Sequence, residues 1–192
     1  MLLTVPLFFA SCSTTVETDI PVPEGYEVVH LPGLDGAILK PKGWYFYHYG
    51  TQNSYIYLIT KEDCRKTNKF LTGFTITVAP EVSKVTHQKP SEYANTVVRD
   101  YPKLEIISKE SECTYDSGQG PVEQQEWIVD QQVNAFGSNI VCRVGIKTMA
   151  ADRIDLLGVI VFGTPRNEWE TNRLIYDTVC QKIRFLGSHP GK

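Results

Sequence analysis

The chain has 192 residues, 42% of them hydrophobic, with 19 Lys and Arg against 22 Asp and Glu and a formal net charge of −3. That length suits one domain with a continuous core that needs no disulfide or metal to hold it. The slight acidity and the lack of a basic run argue against nucleic acid as a partner, because nothing marks a surface that could follow a phosphate backbone.

Residues 1–11, Met-Leu-Leu-Thr-Val-Pro-Leu-Phe-Phe-Ala-Ser, are apolar or small. Crossing the roughly 30 Å of bilayer hydrocarbon takes about 20 helical residues, so this run is too short to span. It matches the apolar region of a secretion signal with small residues at the cleavage site. Phe9-Ala10-Ser11-Cys12 resembles the lipobox of bacterial lipoproteins. The resemblance implies cleavage before Cys12 and a diacylglycerol on its thiol. The pattern is departed from twice: Phe9 stands where Leu is usual, and no Lys or Arg precedes the apolar run. A start assigned a few residues late would remove the positive region. The competing reading is a cytosolic protein with an apolar end and an incidental cysteine. Residues 13–25 are rich in Ser, Thr, Pro and acidic side chains without a period, and read as a tether. About a dozen extended residues reach roughly 40 Å. Ser13 after the modified cysteine resembles the signal for outer-membrane delivery, and the resemblance implies an outer-membrane anchor with the domain facing the periplasm.

Residues 26–31 form a short edge strand, and the segment 37–40 runs into Pro-Lys-Gly-Trp at 41–44. There Pro fixes φ and Gly permits the reversal. Strands over 44–49 and 55–60, joined by Gly-Thr-Gln-Asn-Ser, make a hairpin. Tyr45, Tyr47, Tyr49, Tyr55 and Tyr57 are a candidate binding surface, since rigid aromatics with polar tips favour recognition. The alternative is that they are cross-strand pairs and core. Residues 61–69, with Cys64, read as a solvated connection. Phe74, Ile76 and Val78 then alternate with Thr75 and Thr77, the period of a half-buried strand, until Pro80.

A helix begins near Pro90, where proline suits the first turn and Glu92 complements the positive end of the dipole. It places Tyr93, Ala94, Val97, Val98 and Tyr101 on one face, and Pro102 closes it. Strands follow over 104–115 and 122–131, linked by Asp-Ser-Gly-Gln-Gly-Pro. The next, 140–148, turns Ile140, Cys142, Val144 and Ile146 one way and Arg143 and Lys147 the other. The strand over 155–162 is apolar on both faces and is the candidate for the centre of the sheet. In the last helix Trp169, Tyr176, Val179, Cys180 and Ile183 fall on one face at 3.6 residues per turn. Glu170, Arg173, Asp177, Gln181 and Lys182 occupy the other.

Tight turns between consecutive strands require antiparallel pairing, so the expected fold class is α+β: an antiparallel β-sheet flanked by a helix on each face, an α/β/α sandwich. The Pro-Lys-Gly-Trp start, the Pro-Ser-Glu-Tyr-Ala helix start, the strand meander and the Trp-containing last helix ending in Lys-Ile-Arg-Phe resemble the PsbP-like superfamily, to which PsbP and the Ran-binding Mog proteins belong. The resemblance spans residues 25–186 and implies a non-enzymatic binding or assembly module. The chain then divides into a signal peptide at 1–11, a lipidated tether at 12–25, one PsbP-like domain at 26–187 and a tail at 188–192.

No cofactor or metal is expected. His30, His48, His87 and His189 are scattered, and no pair stands one helical turn apart as a zinc site needs. Cys64, Cys113, Cys142 and Cys180 lack a C-x-x-C spacing, and in an exported domain they allow three disulfide pairings. Cys142 and Cys180 fall on apolar faces, where cysteine serves as a small core residue. No nucleophile elbow or phosphate-cradling glycine loop is present. Glu123 and Glu126, three apart on one strand, point to opposite faces. The expected function is a non-catalytic, envelope-anchored binding module of undetermined partner. The alternatives are an enzyme with a pocket between sheet and helix, or a cytosolic Mog-like regulatory binder.

Overall fold

The computed structural model describes residues 21–34, 36–51, 53–67, 69–99, 105–135 and 137–185. Cys12, Tyr101, Pro102 and His189 lie outside the described residues, as do the signal, nearly all of the tether and the tail. Among the described residues ten strands and four α-helices follow in order: β1 (Tyr26–His30), β2 (Gly36–Pro41), β3 (Tyr45–Gly50), β4 (Tyr55–Thr60), α1 (Cys64–Thr67), β5 (Gly73–Pro80), α2 (Val82–Thr86), α3 (Pro90–Arg99), β6 (Glu105–Asp116), β7 (Pro121–Ala135), β8 (Ser138–Ala151), β9 (Leu156–Pro165), α4 (Trp169–Lys182) and β10 (Arg184–Phe185).

Seven strands form one antiparallel sheet in the order β3-β4-β5-β9-β8-β7-β6. The strand that is apolar on both faces, β9, takes the central place. Alternation along it decides the two layers. Ile160 and Phe162 face α4 with Phe74 and Ile76 of β5, whereas Leu157 packs with Val82, Ala94 and Ala150 on the α2–α3 side. The α+β sandwich expected from the sequence is the fold observed.

Under α4, Phe74, Phe162, Trp169 and Tyr176 form an aromatic cluster whose ring centroids lie 4.5–6.5 Å apart. The five residues read as the buried face of the last helix, Trp169, Tyr176, Val179, Cys180 and Ile183, are all buried. Tyr176 packs against Gly145 of β8, where a Cβ would sit 2.8 Å from the ring's Cζ. At the far end of α4 the Lys147 ammonium, itself buried, lies 3.5 Å from the Cys180 carbonyl, which suits a cation at a helix C-terminus.

Two short helices on the other face are capped from a distance. The turn between β8 and β9 supplies both caps: Ser91 donates its backbone N–H and hydroxyl to Asp152 at 2.9 and 2.7 Å, and Ser83 donates the same pair to Asp155 at 2.9 and 2.6 Å. Each aspartate therefore satisfies amides in a helical first turn that have no intrahelical partner.

Three features depart from the sequence reading. β1, β2 and β10 form a separate three-stranded sheet, with every β2 residue buried and α4 packed against it. α2 is an additional helix. Cys64 is buried rather than solvated, because the connection winds into the single turn α1 and rotates that side chain inward. Cys142 and Cys180 are buried as expected, Cys113 is exposed, and the four are free thiols.

Candidate functional site

Register decides what the tyrosines of the first hairpin can do. Tyr49 pairs with Ile56 and Tyr47 with Leu58, so Tyr45, Tyr47 and Tyr49 share a face with Ile56 and Leu58. Tyr55 and Tyr57 point through the sheet to the α4 side, where they pair with Val78 and Ile76. The structure thus divides the five: three lie together on the edge strand and two belong to the opposite layer. Tyr57 has no exposed surface; its hydroxyl donates to the Pro32 carbonyl at 2.8 Å, and burial pushes its phenol up to about 12. Tyr55 is half-buried against Gly33, whose φ of +85° and lack of a side chain admit the ring.

On the β3 face, Tyr45 and Tyr49 are 40% and 49% exposed, and Tyr47 between them is buried. The helix layer on this side packs over β8 and β9, and the aromatic row sits at the far edge of the sheet. The rings of Tyr45 and Tyr47 are parallel within 2° at a centroid distance of 6.3 Å. α1 and the residue before it fix the row. The Tyr47 hydroxyl donates to Asp63 Oδ1 at 2.6 Å, and that oxygen also accepts the Arg65 backbone N–H at 3.2 Å. The Arg65 guanidinium carbon stands 4.5 Å above the Tyr47 ring centroid, a cation–π contact.

These contacts set the local electrostatics. Burial and then the Asp63 hydrogen bond raise the Tyr47 phenol to about 12, while the Tyr47 hydrogen bond holds the Asp63 carboxyl below its ordinary value. Asp63 also pairs with Lys66 at 3.5 Å. Sequence reasoning overlooked Asp63 and Arg65 by treating their segment as a solvated loop. The available signal was Asp63 placed immediately before a one-turn helix, the position of a cap.

A shallow polar cleft of about 380 Å³ lies on the β6–β7 hairpin, lined by Glu112, Cys113, Thr114, Glu123, Gln124 and Gln125. It is on the sheet's other margin, at the edge formed by β6 and β7. Glu123 and Glu126 face opposite ways, pairing with Ala150 and Lys147 respectively. Among the described residues no group of three or more His, Cys, Asp or Glu is arranged to hold a metal, and no helix is long and apolar enough to cross a membrane. The β3 face presents two exposed tyrosines beside a buried one that Asp63 and Arg65 hold in place.

No protein-family model matches the chain, and no curated protein matches it in sequence. Solved structures are similar in fold at low identity. The cyanobacterial PsbP of Synechocystis sp. PCC 6803 is 13% identical with a TM-score of 0.46, covering 89% of this chain and 99% of that one. The Ran-binding protein Mog1p of Saccharomyces cerevisiae is 16% identical with a TM-score of 0.46, covering 83% and 95%. A Bacteroides thetaiotaomicron protein is 9% identical with a TM-score of 0.48, covering 88% of this chain and 51% of that one.

Proposed function

We infer that this protein is a non-catalytic binding module, lipid-anchored through Cys12 at the periplasmic side of the outer membrane, with the β3 face as its contact surface. The observation that carries the contact surface is the row of exposed Tyr45 and Tyr49 flanking Tyr47, which Asp63 and Arg65 clamp. Pre-ordered aromatic rings lose little side-chain entropy on binding, so they favour recognition more than the same residues on a mobile loop. The Phe9-Ala10-Ser11-Cys12 motif supports the anchor. Several acyl chains on one cysteine hold a protein stably, where a single chain does so only marginally.

The test is the intact mass of the protein from membranes of a bacterial host, beside Cys12→Ala. Loss of residues 1–11 with added acyl mass, absent in the variant, is the expected result. An unprocessed mass in the soluble fraction for both would overturn the anchor. A photo-reactive residue at position 45 or 49 should give a discrete adduct in those membranes, and one at exposed Leu174 should not. Equal labelling from all three positions would remove the β3 face.

A further inference from the structure

We propose that the outer edge of the β6–β7 hairpin takes an extended segment of a partner protein, with a Lys or Arg side chain of that segment seated in the cleft beside Glu123. This surface is separate from the β3 face and independent of the anchor.

Charge balance locates it. Residues 105–135 hold seven carboxylates and one ammonium, a balance of −6, while the rest of the chain carries 15 acids and 18 bases. The two faces of the hairpin differ in how those acids are matched. On the α4 side Asp130 meets Arg143 at 2.9 Å and Glu110 meets Arg173 at 3.2 Å. Register defines the other side: Glu112 stands opposite Gln125 and Thr114 opposite Glu123, and Ala150, the β8 partner of Glu123, packs with Val82 and Ala94 of α2 and α3. There Lys109 meets Glu112 at 2.7 Å. Exposed Glu123 has no ion-pair partner among the described residues, Arg153 against Gly120 at the hairpin tip included. This patch is one cation short.

The cleft is also built to accept hydrogen bonds. Gln125 is its buried member, 8% exposed, and its carboxamide makes no side-chain hydrogen bond among the described residues. Its β8 partner Thr148 is 1% exposed, with a hydroxyl that has no hydrogen-bond partner. Buried polar groups left unmet are unfavourable, so two in one row call for a further partner. A Gln125 amide that donates its N–H to the Thr148 oxygen holds its carbonyl oxygen toward the cleft, beside the Glu123 carboxylate. Two carboxylates and a carbonyl then face a ligand that must donate, and an ammonium or guanidinium does so with charge.

The backbone supplies the rest. β6 ends the sheet, so its outward N–H and C=O groups face no strand. Both of its register shifts fall before Ser111, and from Ser111 to Asp116 its pairing with β7 is unbroken. A strand added along this half alternates its side chains as β6 does, and every second one lies over the Glu112–Thr114 side. Thr114 is short, so a long basic side chain passes over it toward Glu123, roughly 10 Å away at two strand spacings.

The experiment titrates the full chain with the peptide acetyl-Thr-Val-Thr-Lys-Thr-Val-Thr-amide and follows backbone amide resonances. Those of residues 111–116 and 123–125 should shift and saturate. The same peptide with norleucine for lysine should bind about two- to fivefold more weakly, the range for one partly exposed ion pair. Glu123→Gln should bring the lysine peptide down to the norleucine level and leave the norleucine peptide unchanged. Two further peptides carry N-methyl groups on one edge or on the other; one should bind and its counterpart should not, because an added strand uses a single edge. Equal affinity of the lysine and norleucine peptides would overturn the cation site. Equal behaviour of the two N-methylated peptides would overturn strand addition. Shifts over 111–116 that grow with protein concentration in the absence of peptide would give the edge to a second copy and overturn the proposal.

Discussion

Gly145 is the residue on which the α4 layer depends most directly. A methyl group there would meet Tyr176 at 2.8 and 2.9 Å, against a ring with 1% exposure and no space to retreat. Overpacking of this kind costs about 1–3 kcal/mol, so Gly145→Ala should lower the urea midpoint while the far-UV spectrum stays native. The thiol beside that ring makes a second expectation. Burial pushes the Cys180 thiol up to about 12, and burial also raises the Tyr176 phenol, with Cys180 and Glu126 nearby adding to the effect. An unfolded thiol titrates near its ordinary 9.0, so the unfolded chain releases this proton first. Stability should hold below that value and fall as pH rises toward the folded value. Urea midpoints across the alkaline range should decline less steeply for Cys180→Ala.

At the scale of elements, α1 and β3 stand or fall together through Asp63. Its carboxyl is depressed in the folded protein, so the stability it contributes is present above the ordinary 3.8 and is lost as pH falls through the lower folded value. Asp63→Asn should flatten the acid limb of thermal stability and raise exchange in β3. The caps on α2 and α3 make a parallel case: Asp152→Ala and Asp155→Ala should each cost about 0.5–2 kcal/mol in chemical denaturation, the range for a lost N-cap. Asp152 and Asp155 did not announce themselves in the sequence. Alternation and 3.6-residue spacing made the strands and both longer helices legible because periodic burial writes itself into every second or fourth residue. The caps come from residues 61 and 72 positions away, and no local pattern records such a partner. β10 has two residues and α2 has five, below the length at which a period can be counted. The tyrosines failed for a different reason. Each strand's alternation was readable, but odd positions of β3 pair with even positions of β4, and only the register across the turn reveals that Tyr55 and Tyr57 face away.

For the whole molecule, the sheet order sets a gradient of stability. β9 is flanked on both sides and covered on both faces, whereas β3 and β6 are edges of the sheet. Native-state hydrogen exchange should be slowest in β9, β5 and β8 and fastest in β3 and β6, since local opening starts where fewest neighbours must be broken. A uniform rate across the seven strands would contradict this. β6 carries two register shifts, near Ile107 and Glu110, and Glu110 reaches Arg173 of α4 at 3.2 Å. Such irregularities blunt that half of the edge against pairing with other chains. The two aspartate caps also bear on how this chain can be lengthened. Asp152 and Asp155 hold two helices from a single turn, so an inserted loop there would release both helices together with the strands it joins. At the β7–β8 turn the space around Gly137 is open, and a foreign peptide or reporter could be spliced in without disturbing a cap. The turn between β8 and β9, short and exposed as it looks, is a poor place to graft anything.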